Sequence, residues 1–339
     1  MKRKKLTASM IALVMSVSLP MTTYAANWYL EDGSVTVNAD NSGQTVTQGS
    51  TSTPDEAPVI TQRESSVETG NTITINAAEN ATANVTISDV NINTSGKSKA
   101  AVSTSGKGNV NIELDGTNTL KSGRNHAGLE KNSDGNQGKL TITDENENGK
   151  LIATGGDSAA GIGGGYCGDG NDITIAGGKV TATGGNYGAG IGGGAHGNGK
   201  NITITDGEVT AIGGLNGAGI GGGLRNNGEK ITVSGDATLK VQGGPTDAWD
   251  GAGAGIGNGG SLNEDHVSGQ FTPVNGAETE PDTSNLTTGK IEYYAPGADM
   301  TKDKPTSTTL GSGQPEPASP GETAAPVEYR MQTSASEPV

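Results

Sequence analysis

Gly188-Ala-Gly-Ile-Gly-Gly-Gly194 recurs as Gly217-Ala-Gly-Ile-Gly-Gly-Gly223. Upstream the same stretch reads Ala159-Ala-Gly-Ile-Gly-Gly-Gly165, and downstream Gly253-Ala-Gly-Ile-Gly-Asn-Gly259. Its central isoleucines are Ile162, Ile191, Ile220 and Ile256; the first two gaps are 29 residues each, and the last is 36 because of an insertion at Pro245-Thr-Asp-Ala-Trp-Asp250. A fixed period of this length is the mark of a stacked repeat. Two short runs precede each glycine stretch. The first is Asp172-Ile-Thr-Ile175, then Asn201-Ile-Thr-Ile204, then Lys230-Ile-Thr-Val233. The second is Lys179-Val-Thr-Ala182, then Glu208-Val-Thr-Ala211, then Thr238-Leu-Lys-Val241. Apolar and hydroxyl residues alternate in them, as in strands that bury one face.

One repeat is therefore three short strands joined by glycine-rich corners. No strand this short buries anything alone, so the units must stack around a shared interior. Parallel strands need a long crossover. Here the rest of the coil supplies it, because no amphipathic helix is visible in the repeat. The expected fold is all-β: a right-handed parallel β-helix of about six coils, marked by Val102, Leu129, Ile162, Ile191, Ile220 and Ile256, followed by a disordered C-terminal tail. Glycine, at 57 of 339 residues, permits positive φ and close backbone approach at the corners.

Residues 1–25 read as a secretory signal: basic Met1-Lys-Arg-Lys-Lys5, an apolar stretch from Leu6 to Pro20, and Thr23-Tyr-Ala25 before the cleavage point. A secreted or cell-surface protein is expected, without membrane insertion once the signal is removed. Loss of Lys2, Arg3, Lys4 and Lys5 takes the formal charge from −15 to −19. That acidity argues against nucleic acid, which needs basic patches. Residues 26–67 form an N-terminal capping segment with Trp28 as lid, and Gln44 to Gln62 reads as a loop. Residues 68–265 are the repeat domain, with the glycine motif worn down before 156. Residues 266–339 are rich in Pro, Thr, Ser and Glu and read as linker or tail, with Lys290-Ile-Glu-Tyr-Tyr294 as a final capping strand. The chain ends as a piece of a longer surface protein would, or a released one.

Several residues invite chemistry. Gly168-Asp-Gly-Asn-Asp-Ile-Thr-Ile175 is like a calcium loop, with Asp169 and Asp172 as metal ligands. Calcium is the one cofactor the sequence offers. Asp-Gly and Asn-Gly are also ordinary turn dipeptides, and Lys230 takes the place of Asp172 two coils on. Tyr187 and Trp249 follow the Gly-Gly pairs of coils two apart, about 10 Å in a parallel stack. That suits aromatic platforms for an extended glycan, with Asp247 and Asp250 as acceptors for sugar hydroxyls. The alternative is that Trp249 packs its own inserted loop and Tyr187 fills a corner. Cys167, the only cysteine, excludes an internal disulfide. His196 follows it one coil later, but nothing is in place to orient the histidine as a base. Arg225 stands without a carboxylate cluster beside it, so no lyase constellation emerges. Asp247, Asp250, Glu264 and Asp265 fix no glycosidase spacing. Columns headed by Thr174 and Thr181 suggest an ice-binding face, but Ile152, Ile212 and Lys240 interrupt it, and β propensity explains the threonines.

The Ile-Thr-Ile and Val-Thr-Ala runs joined by Gly-Ala-Gly-Ile-Gly-Gly-Gly resemble the secreted β-helix proteins of Gram-positive anaerobic bacteria that carry carbohydrate-binding domains. The resemblance covers roughly residues 68–262. It implies a β-helix, related in shape to pectate lyases, that binds plant cell-wall or host polysaccharide without cleaving it, with calcium in some members. The function expected is a non-catalytic, monomeric polysaccharide-binding or adhesive module. A purely structural surface stalk or protein-binding adhesin is the alternative, and a polysaccharide lyase the third.

Overall fold

The computed structural model describes residues 26–131, 138–265 and 270–313. The signal sequence read at 1–25 and the last part of the tail, 314–339, lie outside them. The chain is an all-β parallel solenoid of about seven turns, built as a 14-stranded sheet, a 10-stranded sheet and a short two-stranded one. Helix is confined to a single 3-10 turn, Leu30–Asp32, among the described residues. None of the helices described is long and apolar enough to cross a membrane.

Strands stack in register, so like side chains form columns. The glycine-motif strands pair as Val102↔Leu129↔Ile162↔Ile191↔Ile220↔Ile256. Two further strands, Ile73–Ala77 and Val35–Asp40, extend this sheet below Val102–Ser105. On the other sheet Ile112, Ile142, Ile175, Ile204 and Val233 align. So do Leu120, Ala153, Ala182, Ala211 and Val241. All are buried and belong to one continuous core. Burying each large aliphatic side chain stabilises the fold by about 1.5–3 kcal/mol.

Three features differ from the expectation. In the central coils the first two runs are not separated by a corner. They form single strands, Gly170–Thr183 and Gly199–Ile212, with a register shift around Ala176. Gly178 at φ +84° and Gly207 at +91° absorb the bend, as expected of a bulge. The segment read as a loop from Gln44 to Gln62 instead carries Gly43–Gln48, Thr51–Pro54 and Val59–Thr61. Gly43–Gln48 pairs antiparallel with Val35–Asp40, and Thr51–Pro54 pairs antiparallel with Gly43–Gln48 in turn. Buried Gln44 explains why: its Nε2 donates to Asp55 O at 2.9 Å and Asn84 O at 3.0 Å. Packing also runs past residue 265. Leu286 and Ile291 are buried in the core, and Lys290–Tyr294 pairs parallel with Thr238–Gln242 and antiparallel with Ser307–Leu310.

Both ends are closed. At the start, Trp28 lies over the core and its Nε1 donates to Asp55 Oδ2 at 2.9 Å. At the other end the Glu278 carboxylate accepts from Gly255 N at 2.8 Å and Ile256 N at 3.1 Å, where another coil would have continued the ladder. Open sheet edges invite uncontrolled pairing, and Glu278 takes up two donors of the edge at Ile256.

One core position breaks the pattern. Lys131 pairs in register with Thr104 and is only 2% exposed, and its Nζ has no hydrogen-bond partner. Burial lowers its pKa, opposed in part by the Asp172 charge. The protonated form is thus disfavoured in the folded state. Its cost is full at neutral and acid pH, and fades as pH rises through the lowered folded value toward the ordinary 10.5. Lys131→Met should therefore raise Tm at neutral pH, by an amount that shrinks as melts are repeated at increasingly alkaline pH. Gly192 tests the stacking directly. It sits at φ +132°, and an added Cβ would lie 2.1 Å from Gly221 O. Thermal melts should show Gly192→Ala destabilised by about 2–4 kcal/mol. Gly96→Ala, which meets nothing within 4 Å, should melt like the parent.

Candidate functional site

Two columns of left-handed residues run side by side along the coils. One comprises Asn125, Ser158, Tyr187 and Asn216, at φ 69°, 68°, 67° and 59°. Each donates its N–H to the coil above: Asn125 to Asp157 O, Ser158 to Asn186 O, Tyr187 to Leu215 O and Asn216 to Pro245 O, at 2.8–3.0 Å. The second comprises Cys167, His196 and Arg225, at φ 57°, 63° and 61°. The columns are bound together, because Tyr166 N donates to Asn125 O, Ala195 N to Ser158 O, and Leu224 N to Tyr187 O. Such backbone is unfavourable for any residue with a Cβ, by about 1–3 kcal/mol each. The stack holds it in every coil, and the strained corners carry varied side chains on one lateral face.

Tyr166, next to Cys167 of the second column, and Trp249, on the inserted loop, are exposed, at 53% and 59%. Cys167, His196 and Arg225 are exposed and Tyr187 is half-buried. The Tyr166 and His196 rings meet edge to face, with centroids 6.3 Å apart and planes at 76°. A hydrogen bond with Cys167 raises the Tyr166 phenol pKa. Tyr166 was not singled out from the sequence. The available signal was its place beside the column, where the next coils have Ala195 and Leu224.

Trp249 stands on the inserted loop, and the loop is stapled. Asp247 Oδ1 accepts from Trp249 N at 2.8 Å and Asp250 N at 2.7 Å. Asp250 O accepts from Asp247 N, from Thr246 Oγ1 and from the Nδ2 of buried Asn216 at 2.9 Å. Asn216 Nδ2 also donates to Gly251 O at 2.8 Å. Arg225 closes the base of the loop. Its Nε donates to Asp250 Oδ1 at 2.8 Å and its Nη2 to Asp250 Oδ2 at 3.0 Å, a two-pronged pair that fixes orientation as well as charge. Asp250, with Asp247 further off, pushes the Arg225 pKa up.

These contacts correct two expectations. Asp250 is not available to sugar hydroxyls, since it is 4% exposed and both carboxylate oxygens accept from Arg225. Arg225 does have a carboxylate beside it, brought by the insertion. Asp247 shapes the turn through one oxygen. Tyr187 lies in the first column, and Trp249 on the loop that Asn216, the next member of that column, anchors.

The calcium ligands are engaged otherwise. Asp169 Oδ1 accepts from Asn198 N at 2.7 Å and Nδ2 at 3.2 Å, and Asn198 Oδ1 accepts in turn from Asn227 N at 3.2 Å. Asp172 Oδ1 accepts from Asn201 Nδ2 at 2.9 Å. Both aspartates are the first members of coil-to-coil ladders continued by asparagine. No group of three or more His, Cys, Asp or Glu side chains is placed to hold a metal among the described residues. In the threonine columns Thr174 is 6% exposed and Thr203, Thr232, Thr181 and Thr210 are half-buried.

Against known proteins, a sequence model described as Beta helix repeat matches residues 147–166, 173–195 and 202–224. These are the coils in which the glycine motif is best kept. No curated protein and no solved structure matches the chain. The repeat family agrees with the solenoid and leaves the ligand to the chemistry of the face.

The Arg225–Asp250 pair should be what holds Trp249 in place. Asp250→Ala is expected to cost about 2 kcal/mol in chemical denaturation, as for hydrogen bonds to a charged group. Limited proteolysis should then cut within 245–251, a site protected in the parent.

Proposed function

We propose that this protein is a non-catalytic polysaccharide-binding module, exported to the cell surface or medium, and that the lateral face bearing Tyr166, Tyr187 and Trp249 is its binding surface. The observation that carries this is the state of Trp249. A large aromatic is held 59% exposed on a loop fixed by the Arg225–Asp250 pair and by Asn216. Leaving an indole in water is unfavourable unless something covers it, and a rigid aromatic loses little entropy on binding. Tyrosine and tryptophan faces pack against sugar C–H faces, and coils spaced about 4.8 Å apart would set several along an extended chain. The ligand class we assign is plant cell-wall or host glycan.

A non-catalytic role is supported by the same contacts. A lyase base must be free to take a proton, whereas Arg225 is tied to Asp250. Asp169 and Asp172, the carboxylates that would bind a cation, accept hydrogen bonds from the next coil. The surface-stalk reading is favoured by one observation of its own: many outward polar side chains, such as Asp157 with Asn186, serve only to join coils.

Retention on insoluble cellulose, pectin, xylan and mucin separates these readings. The expected result is retention on one of them, reduced about tenfold or more by Trp249→Ala, with Tm unchanged because the indole is exposed. Equal retention of parent and variant would take the binding surface away from Trp249, and no retention on any glycan would move the function to the stalk. Ultraviolet-absorbing unsaturated products would make it a lyase.

A further inference from the structure

The C-terminal mouth of the solenoid is chemically unlike the lateral face. It holds a cavity of about 590 Å³, walled by Tyr293, Tyr294, Pro281 and Pro296 and edged by Glu278 and Glu280. Tyr293 sits in register above Val241, so it ends an aliphatic core column with a phenol. Gly255 makes room for it: a Cβ there would lie 3.0 Å from the Tyr293 ring. The ring packs on the core. Its hydroxyl has no hydrogen-bond partner among the described residues.

The charge around this hydroxyl is one-sided. Burial first, and then the charges of Glu278 and Glu280, push the Tyr293 pKa up to about 12. The phenol therefore remains neutral at any ordinary pH. Glu278 cannot turn away, because both its oxygens accept backbone N–H groups. Glu292 nearby is already balanced by Lys290 at 2.5 Å. No lysine or arginine is among the residues that line the cavity. A volume of this size suits a small molecule, and aromatic walls under negative potential favour an organic cation. Each Glu278 oxygen accepts a single backbone N–H and keeps a lone pair for a further donor, whereas two carboxylates alone supply too few oxygens for a calcium ion.

We propose that this cavity binds a small organic cation carrying a protonated amine, held at the Glu278 and Glu280 carboxylates between the tyrosine walls. Polyamines and amino sugars both present this group. The site is separate from the glycan face and does not depend on it.

Calorimetry on the full chain with spermidine, glucosamine and N-acetylglucosamine tests this. One or both amines should bind with one-to-one stoichiometry, and the arm that binds names the source. N-acetylglucosamine, which lacks the charge, should not bind. Glu280→Gln should weaken binding about tenfold, the loss expected for one charge-assisted contact. Tyr293→Phe, which keeps the ring that covers the core, should weaken it less, and Trp249→Ala should leave it unchanged. Glu208→Gln, an exposed acid remote from the cavity, should also bind like the parent. No binding of either amine would overturn the proposal. So would equal losses in Glu280→Gln and Glu208→Gln, which would mean diffuse attraction to an acidic surface, or binding of N-acetylglucosamine as tight as that of glucosamine.

Discussion

Everything in this structure rests on how closely one coil lies on the next. Backbone hydrogen bonds between coils run at about 3 Å through the glycine strands, as in Ile162 N to Gly190 O and Ile191 N to Gly219 O. At Gly163, Gly192 and Gly221 an added Cβ would fall 2.0–2.1 Å from the oxygen of the coil above. The three share φ of 130–134°, a conformation that side chains rarely tolerate. Glycine here is what lets the two backbones touch. The aligned isoleucines then fill the interior that this contact defines, and the strained lateral corners are held by the same stack.

That dependence explains why the outer surface carries variety. Within each coil the inward positions are fixed by the column they join, and the glycine positions by the coil above. The αL corners are different: their backbone is held by hydrogen bonds on either side, whatever the side chain. Cys167, His196 and Arg225 are therefore equivalent in geometry and unlike in chemistry. The one place where the solenoid departs from its period, the loop at 245–252, needs support of its own. It obtains it from two side chains of the coil below, Asn216 and Arg225, each contributed by one of the two left-handed columns.

The architecture was legible because its signals are periodic. Isoleucines 29 residues apart predict vertical neighbours, and Ile162, Ile191 and Ile220 are vertical neighbours. The capping strand at Lys290–Tyr294 and the lid at Trp28 were legible as aromatics placed where the repeat begins or ends. Features that depend on one long-range contact were not. The strand at Gly43–Gln48 reads as a loop by composition. It is a strand because Gln44, an apparent surface residue, bridges to Asn84, 40 residues away. The Arg225–Asp250 pair spans 25 residues across an insertion that the period cannot place. Asp169 and Asp172 misled for a related reason. Both have the residue type of a metal ligand, but in the stack Asp169 accepts from the Asn198 backbone and amide and Asp172 from the Asn201 amide. Tyr166 was hidden by its neighbours, since a column containing alanine and leucine does not announce an aromatic.

Because the coil-to-coil hydrogen bonds lie along the long axis, the molecule is mechanically anisotropic. Force applied between its ends loads the bonds of one interface at a time, as in opening a zipper, whereas force across the axis loads a whole ladder together. Each coil released from an end would add about 29 residues of slack, close to 100 Å of extended chain. A solenoid fixed at one end to a surface and at the other to a load would thus lengthen by whole coils before it broke. Trp28 over the first coil and Glu278 across the last are the latches where such peeling would have to begin.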